Sequence, residues 1–430
     1  MVRVPAEVEL LLARLREGGV ACFPAGGALR DLLLGRPLRD FDAVVLEPLA
    51  RAHAVLPEAI AIGGHTPLLL IELPGGPRVE ITPLRDGART LDEDLGLRDY
   101  TINALALDPA SGELLDPTGG RADLDARLLR ACRPETVYRE DPVRILRGVR
   151  LAMELDLRFD EATLLAMERD HFRLAQAPGE RLREELFRLL ATERASEGIE
   201  CLRRTGALSV LLPELLRLVG VGQNRRHPDD VYWHTLRVCA RVPGDPLLRL
   251  AALLHDVAKP ETKGFLGREG DASFHRHDLL ARPWLERIAA RLRLSKRDLR
   301  HVEGLVRHHL LFEERLASER AIRRMLRRVG NDILHDLLAL RRADLGSRGG
   351  VPESWEACET RILALAAESL ASVAGSIAID GEDVMQVLGI AEGREIGRWL
   401  ARARRRVNER PEENDREKLL GWLRETAGRA

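Results

Sequence analysis

No apolar stretch in these 430 residues approaches the roughly 18 uninterrupted residues of a membrane span. The opening residues, Met1 to Glu9, also lack the apolar run of a secretion signal. A cytoplasmic protein with no membrane partner is therefore expected. Cysteine is scarce: Cys22, Cys132, Cys201, Cys239 and Cys358 stand singly with no CxxC pair, which excludes a thiolate metal cluster and fits a reducing compartment. Lysine is nearly missing, at positions 259, 263, 296 and 418 only, so all but four of the 67 basic residues are arginine. That bias has two readings, phosphate recognition by the guanidinium fork or the codon usage of a GC-rich genome. An excess of charge of one sign is absent too: 67 Lys+Arg stand against 68 Asp+Glu, and a net charge of −1 leaves nucleic-acid binding open. There is no internal repeat and no low-complexity tract.

What is present is apolar content of 45%, too much for a disordered chain and, at roughly one domain per 100–200 residues, enough for two to four cores. The first part mixes short strand-like runs (Ala21–Pro24, Phe41–Val45, Pro67–Leu73, Arg78–Ile81) with turn signals at Gly63-Gly64 and Pro74-Gly75-Gly76-Pro77. It reads as an α+β domain to about residue 121. From Leu124 onward apolar residues recur every three or four positions, as in Val143–Met153 and Glu180–Leu190, and the remainder reads as essentially all helical, with breaks near Leu218–Pro228, Val242–Pro246 and Gly346–Pro352.

Residues 26–42 gather phosphate-handling chemistry. The pair Gly26-Gly27 lets backbone approach a ligand, the amides opening the next helix favour an anion, and Arg30 follows in its first turn. Asp40 and Asp42 alternate along a strand, so both carboxylates leave one face and can hold divalent ions for phosphoryl or nucleotidyl transfer. A third acid, Glu80, lies on another strand-like run.

This run resembles the head motif of the class II tRNA nucleotidyltransferase and bacterial poly(A) polymerase family, within the polymerase-β-like superfamily. Further motifs follow in the family's order: Arg98–Leu105 resembles RRDFTINAL, Asp116–Gly120 resembles DPxGG, Glu140–Arg150 resembles EDxxRxxRxxR, and Glu180–Glu185 resembles ERxxxE. The resemblance implies that Asp40 and Asp42 bind Mg²⁺ and, with Glu80, form the catalytic set. It implies that Gly26, Gly27, Arg30, Arg98, Asp99, Asn103, Arg147 and Arg150 contact the nucleotide, and that Glu140, Asp141 and Arg144 act as a protein template for the incoming base. The spacing agrees: Arg144, Arg147 and Arg150 line one side of a helix with Asp141 one turn earlier, so a carboxylate acceptor beside guanidinium donors can imitate a base edge. The expected partners are the 3′ end of tRNA and CTP, with ATP as a further possibility.

Two departures from the family pattern matter. The first arginine of the RRDFTINAL pair is Leu97 here. More informative, only Asp86-Gly87-Ala88-Arg89-Thr90 separates Arg85 from Leu91, where enzymes that add the whole CCA carry a flexible loop of more than ten residues. A loop this short resembles the CC-adding subgroup, which works with a separate A-adding enzyme; complete CCA addition is the close alternative. Poly(A) polymerase is disfavoured, because Ile62-Gly63-Gly64-His65-Thr66 lacks that branch's basic pair.

Downstream, His234, His255-Asp256 and Asp344 resemble the H…HD…D metal ligands of the HD phosphohydrolases, with Lys259, His277 and His309 around them. This implies a second divalent transition metal of unknown identity, with hydrolysis of phosphomonoesters or 2′,3′-cyclic phosphates on RNA ends as its activity; a vestigial helical scaffold is the alternative. Ile379–Gly389 and Asn414–Glu417 resemble the family's tRNA-holding tail, and Arg402–Arg406 add a basic run. The expected architecture is α+β: a polymerase-β-like nucleotidyltransferase head (1–121), then an all-α neck (122–217), HD domain (218–350) and tail (351–430).

Overall fold

Asp40–Val45 alternates acidic and apolar residues at its start, and the alternation decides which side of a sheet stays open. In the computed structural model, which describes residues 3–38, 40–64, 67–85, 87–222, 230–266, 271–311, 313–374, 377–390 and 393–427, this segment is strand β2. Of the positions singled out above, His65, Thr66, Asp86 and the last part of the Leu218–Pro228 break lie outside the described residues.

The sheet contains β1 (Cys22–Pro24), β2, β3 (Ile60–Ile62), β4 (Leu68–Glu72) and β5 (Arg78–Pro83) in the order β1-β2-β5-β4-β3. The β2–β5 pair is parallel and the others are antiparallel, with Asp42 opposite Glu80 and Asp40 opposite Arg78. Phe41, Ala43 and Val45 point into a core with Val79, Ile81 and Leu69. That core is closed by Val8, Leu11, Leu12 and Leu15 of α1 (Ala6–Glu17), spaced at three and four as one helix stripe, and by Ala28 of α2 (Gly27–Leu33) and Ala52 of α3 (Leu49–Val55). On the other face Val44 packs with Ala25, Ala104, Ala106 and two leucines of α4 (Leu91–Gly96). Helical cover therefore meets β2 at Val44, and the end bearing Asp40 and Asp42 is left facing a cleft.

The chain divides into two compact units: residues 1–217 with 244–246 and 287–295, and residues 218–243 with 247–286 and 296–430. The first unit holds the sheet and the helices to Leu216. The second is helical apart from a hairpin, Lys263–Leu266 with Asp271–Phe274, that the all-helical expectation missed; Gly264, Gly267 and Gly270 interrupt any helix period there. Within this unit, residues of the last 54 positions form a core of their own, including Ile379, Val384, Trp399, Val407 and Leu419. No helix among the described residues is long and apolar enough to cross a membrane.

Candidate active site and a second titratable cluster

The first unit carries a cleft of about 1090 Å³. Its walls include Gly26, Gly27, Arg30, Asp40, Asp42, Glu80, Arg98, Asp99, Asn103, Arg144, Arg147 and Arg150, so most of the residues selected from sequence meet there. Glu140 and Asp141 are not part of the lining. Arg78, Arg85, Arg188 and Arg194 are, although no motif had singled them out; Arg78 is brought there by its cross-strand register with Asp40, which only the folded sheet shows.

At the open end of β2, Asp40 is half-exposed and its Oδ1 lies 3.0 Å from Nε of Arg78, whose Nη2 also reaches Glu80 at 3.2 Å. One guanidinium thus bridges two of the three acids. Asp42 is the desolvated member: burial raises its carboxyl pKa, Arg98 opposes the rise, and the charges of Glu80 and Asp40 add to it. Three hard oxygen donors, one of them desolvated, suit a divalent cation such as Mg²⁺.

Gly26 makes the close approach possible. It has φ 91° and ψ −150°, and a Cβ built on it would meet Nη1 of Arg98 at 2.7 Å and Oδ2 of Asp42 at 3.0 Å. Its own amide donates to the Leu105 carbonyl at 3.0 Å, so this N–H is already committed to the fold and not to an anion.

The arginines are not free side chains on a helix face. Arg30 is buried, donating to Asn103 Oδ1 at 2.6 Å and bidentately to Asp31. Asn103 Nδ2 donates to Asp99 at 3.1 Å, Asp99 accepts from Arg147 at 3.2 Å, and Glu185 accepts from Arg147 at 3.2 Å and Arg150 at 2.8 Å. Glu185, the last residue of the ERxxxE match, is buried and is the hub that the sequence left without a role. Burial would raise the Asp99 carboxyl, but the Arg147 charge, Asn103 and the Tyr100 amide bring it down to about 2. Arg98 is held by Asp94, a fully buried carboxylate that also accepts from the backbone N–H and Nη1 of Arg85 at 2.9 and 2.8 Å.

The expected template helix begins later than its motif. Asp141 is extended (φ −147°, ψ 99°) between the turn Val137–Glu140 and the helix Arg144–Leu155, because Pro142 disfavours a helical residue before it. Asp141 is paired to Arg181 at 2.6 Å, and Glu140 to Arg133 at 2.8 Å and Arg144 at 3.4 Å. Acid and arginine therefore do not stand one turn apart on one helix; of the three template positions, Arg144 alone lines the cleft.

The second unit gathers the other predicted set. His234 comes from the helix Val231–Arg241, His255 and Asp256 follow Pro246–Leu254, His277 opens His277–Leu280, His309 follows Lys296–His308, and Asp344 lies on Leu334–Gly346. All six are buried, as is Lys259. Nε2 of His234 and His255 are 3.3 Å apart, and those of His277 and His309 are 3.2 Å apart. Asp256 Oδ2 lies 3.0 Å from His255 and 3.5 Å from His234, while Oδ1 lies 3.1 Å from His277 and 3.9 Å from His309. His277 and His309, expected outside the ligand ring, thus sit directly on Asp256. Asp344, expected as a ligand, touches His234 at 3.3 Å, but Arg341 and Arg348 occupy its two oxygens at 2.9 and 2.6 Å. Burial depresses the His309 imidazole to about 3. The described residues contain two sets of three metal-type donors within 4.8 Å of one another, His234/His255/Asp256 and Asp256/His277/His309.

Three family models match the chain. Residues 76–130 match the family described as "Poly A polymerase head domain", residues 156–218 "Probable RNA and SrmB- binding site of polymerase A", and residues 226–348 "HD domain". Among curated proteins, the chain is 38% identical to a CC-adding tRNA nucleotidyltransferase of Thermus thermophilus across 93% of each chain. It is 33% identical to an A-adding tRNA nucleotidyltransferase of Deinococcus radiodurans, across 94% of this chain and 96% of that one. A Bacillus stearothermophilus CCA-adding enzyme solved with CTP superposes with a TM-score of 0.68 at 25% identity, covering 98% and 97% of the two chains.

Proposed function

The chain belongs to the CCA-type tRNA nucleotidyltransferase and poly(A) polymerase family with an HD domain, and from that premise we propose that it transfers CMP from CTP to the 3′ end of tRNA, stopping after two cytidines. The observation that carries the transfer reaction is the cleft in which Asp40, Asp42 and Glu80 face Arg98 and the Arg30–Asn103–Asp99–Arg147 network. Asp40 and Asp42 would hold Mg²⁺, which when bound would supply charge neutralisation at the triphosphate and acidification of the 3′-hydroxyl. The protein's own part is positioning: Glu185 fixes Arg147 and Arg150 as donors, Asp94 fixes Arg98 beside Asp42, and Arg144 presents donors to the incoming base.

The two-cytidine limit is supported by the short connection after β5. Arg85 is tied to Asp94 through both backbone and guanidinium, Ala88 N–H donates to the Arg85 carbonyl at 3.0 Å, Arg89 N–H donates to Glu93 at 2.6 Å, and Thr90 caps α4. A segment pinned at each of these points has no slack to act as a lever that retunes the template for ATP. The relatives include both CC-adding and A-adding proteins, so the loop and not the likeness carries this step. The test is tRNA lacking its 3′ end, incubated with CTP, ATP or both: two cytidines and no adenosine are expected, whereas efficient AMP transfer to a CC-ended tRNA overturns the reading, in favour of complete CCA addition if CMP is added as well.

We assign residues 1–121, 122–217, 218–350 and 351–430 to head, neck, HD and tail. In the tail, Arg402, Arg404 and Arg405 are exposed around the buried Ala403, with Arg402 stacked on Trp399, a surface suited to RNA phosphates. The second unit's histidine cluster supports an additional divalent-metal site acting on phosphomonoesters or 2′,3′-cyclic phosphates at RNA ends.

A further inference from the structure

A cleft that joins CTP to RNA has to hold two anions, the triphosphate and the acceptor strand, and its arginines are not equally available for them. Among the described residues, every arginine on the cleft wall except Arg188 is ion-paired to a carboxylate. Arg147 and Arg150 share Glu185, and Arg194 is held between Asp156 and Glu197. Arg188 is exposed and has no partner among the described residues. A paired arginine offers an incoming anion only the donors that its acid leaves, whereas an unpaired one brings all five. The helix Gly179–Leu190 sets its place: Arg188 follows Glu185 by three residues, so both leave one face, and Glu185 meets the arginine helix there. The turn that ends this helix continues the same wall through Ala191, Thr192, Glu193 and Arg194. Ala191 N–H donates to the Phe187 carbonyl at 2.9 Å and Thr192 Oγ1 to the Leu189 carbonyl at 2.8 Å. The backbone beneath Arg188 is therefore fixed while its charge is unspent.

The cations beside the acids are different ones. A Cβ on Gly26 would touch Arg98 and Asp42 together, and one on Gly27 would lie 3.4 Å from Nη2 of Arg30, so these two arginines border the turn next to Asp42. Arg188 shares its wall instead with Glu193, which is exposed and has no ion pair among the described residues. An unneutralised carboxylate repels a multiply charged triphosphate far more than a singly charged phosphodiester. We propose that Arg188 binds the acceptor strand, its guanidinium taking a phosphodiester close to the tRNA 3′ end and so aiming the terminal hydroxyl at Asp40 and Asp42. This rests on the transferase reading and adds to it a residue for the second substrate. A phosphate contact of this kind fixes the strand's register without reading its bases.

The experiment uses the full chain, tRNA lacking its 3′ end, and Arg188→Gln, which keeps a polar side chain and deletes the charge. Because the guanidinium is exposed and unpaired, the variant should melt with the parent. Its Kd for tRNA should rise about tenfold, with the slope of log Kd against log salt shallower by about 0.7, the loss of one single-strand phosphate contact, and the KM for CTP should not change. tRNA carrying one uncharged methylphosphonate among its last linkages gives a readout on the parent itself: one position should weaken binding by a similar factor, and Arg188→Gln should be blind to that position. A charge in the last turn of a helix also offsets the negative end of the dipole. A role confined to that would lower the melting temperature and leave the salt slope and the methylphosphonate response untouched. That result, or a raised KM for CTP at unchanged tRNA affinity, overturns the inference, while CMP transfer by the parent keeps the transferase reading. No transfer by the parent overturns both.

Discussion

Gly26 occupies a φ, ψ combination that other residues adopt only under strain of about 1–3 kcal/mol, and the room left by its missing Cβ is filled by Arg98 and Asp42. Gly26→Ala is therefore expected to act on the chemistry more than on the fold. CMP transfer should fall by about two orders of magnitude, since small misplacements of a positioned group cost that much, with a melting temperature lowered by only a few degrees. Steady-state kinetics beside a thermal melt checks the split; an active, merely destabilised variant would show that Arg98 need not stand there. Asp99 gives a pH signature. Its carboxyl is held at about 2 against an ordinary value near 3.9, so it contributes about 2 kcal/mol of stability that is present above roughly pH 4 and lost as pH falls toward 2. Asp99→Asn should therefore be less stable than the parent at neutral pH, and the gap measured by urea unfolding should shrink between pH 4 and pH 2.

At the scale of elements, the helix Arg144–Leu155 is seated by one contact that the motif does not advertise. A Cβ on Gly148 would fall 2.0 Å from Tyr100 Oη, which donates to the Arg144 carbonyl at 2.6 Å and meets the Tyr138 hydroxyl at 3.2 Å. Tyr100 is fully buried beside Asp99, so this contact sets the distance between the Arg98–Leu105 segment and the arginine helix. Gly148→Ala overpacks a rigid ring and should cost about 1–3 kcal/mol, with weaker CTP binding because Arg147 shifts from Asp99. Unfolding midpoints and the KM for CTP measure both; a neutral change in each would mean that the helix can slide. The same helix marks a limit of motif reading. The arginine spacing from 144 to 150 was legible, whereas the displacement of Glu140 and Asp141 followed from Pro142 and from partners, Arg133 and Arg181, that no local pattern couples to them.

At the scale of the molecule, covalent order settled a great deal. Alternation placed Asp40 and Asp42 on one strand face, the count of residues between Arg85 and Leu91 fixed how short the connection is, and the order of motifs identified the family, because each depends only on neighbours along the chain. Tertiary structure decided which opposite charges meet. Glu185 became the hub for Arg147 and Arg150, Arg78 the bridge between Asp40 and Glu80, and Asp94 the anchor joining Arg85 to Arg98. It also moved His277 and His309 onto Asp256 and gave Asp344 to two arginines. A periodic pattern records which face a side chain leaves, but a buried charge takes whichever partner the packed helices bring within about 3 Å, and that choice exists only once the chain has folded.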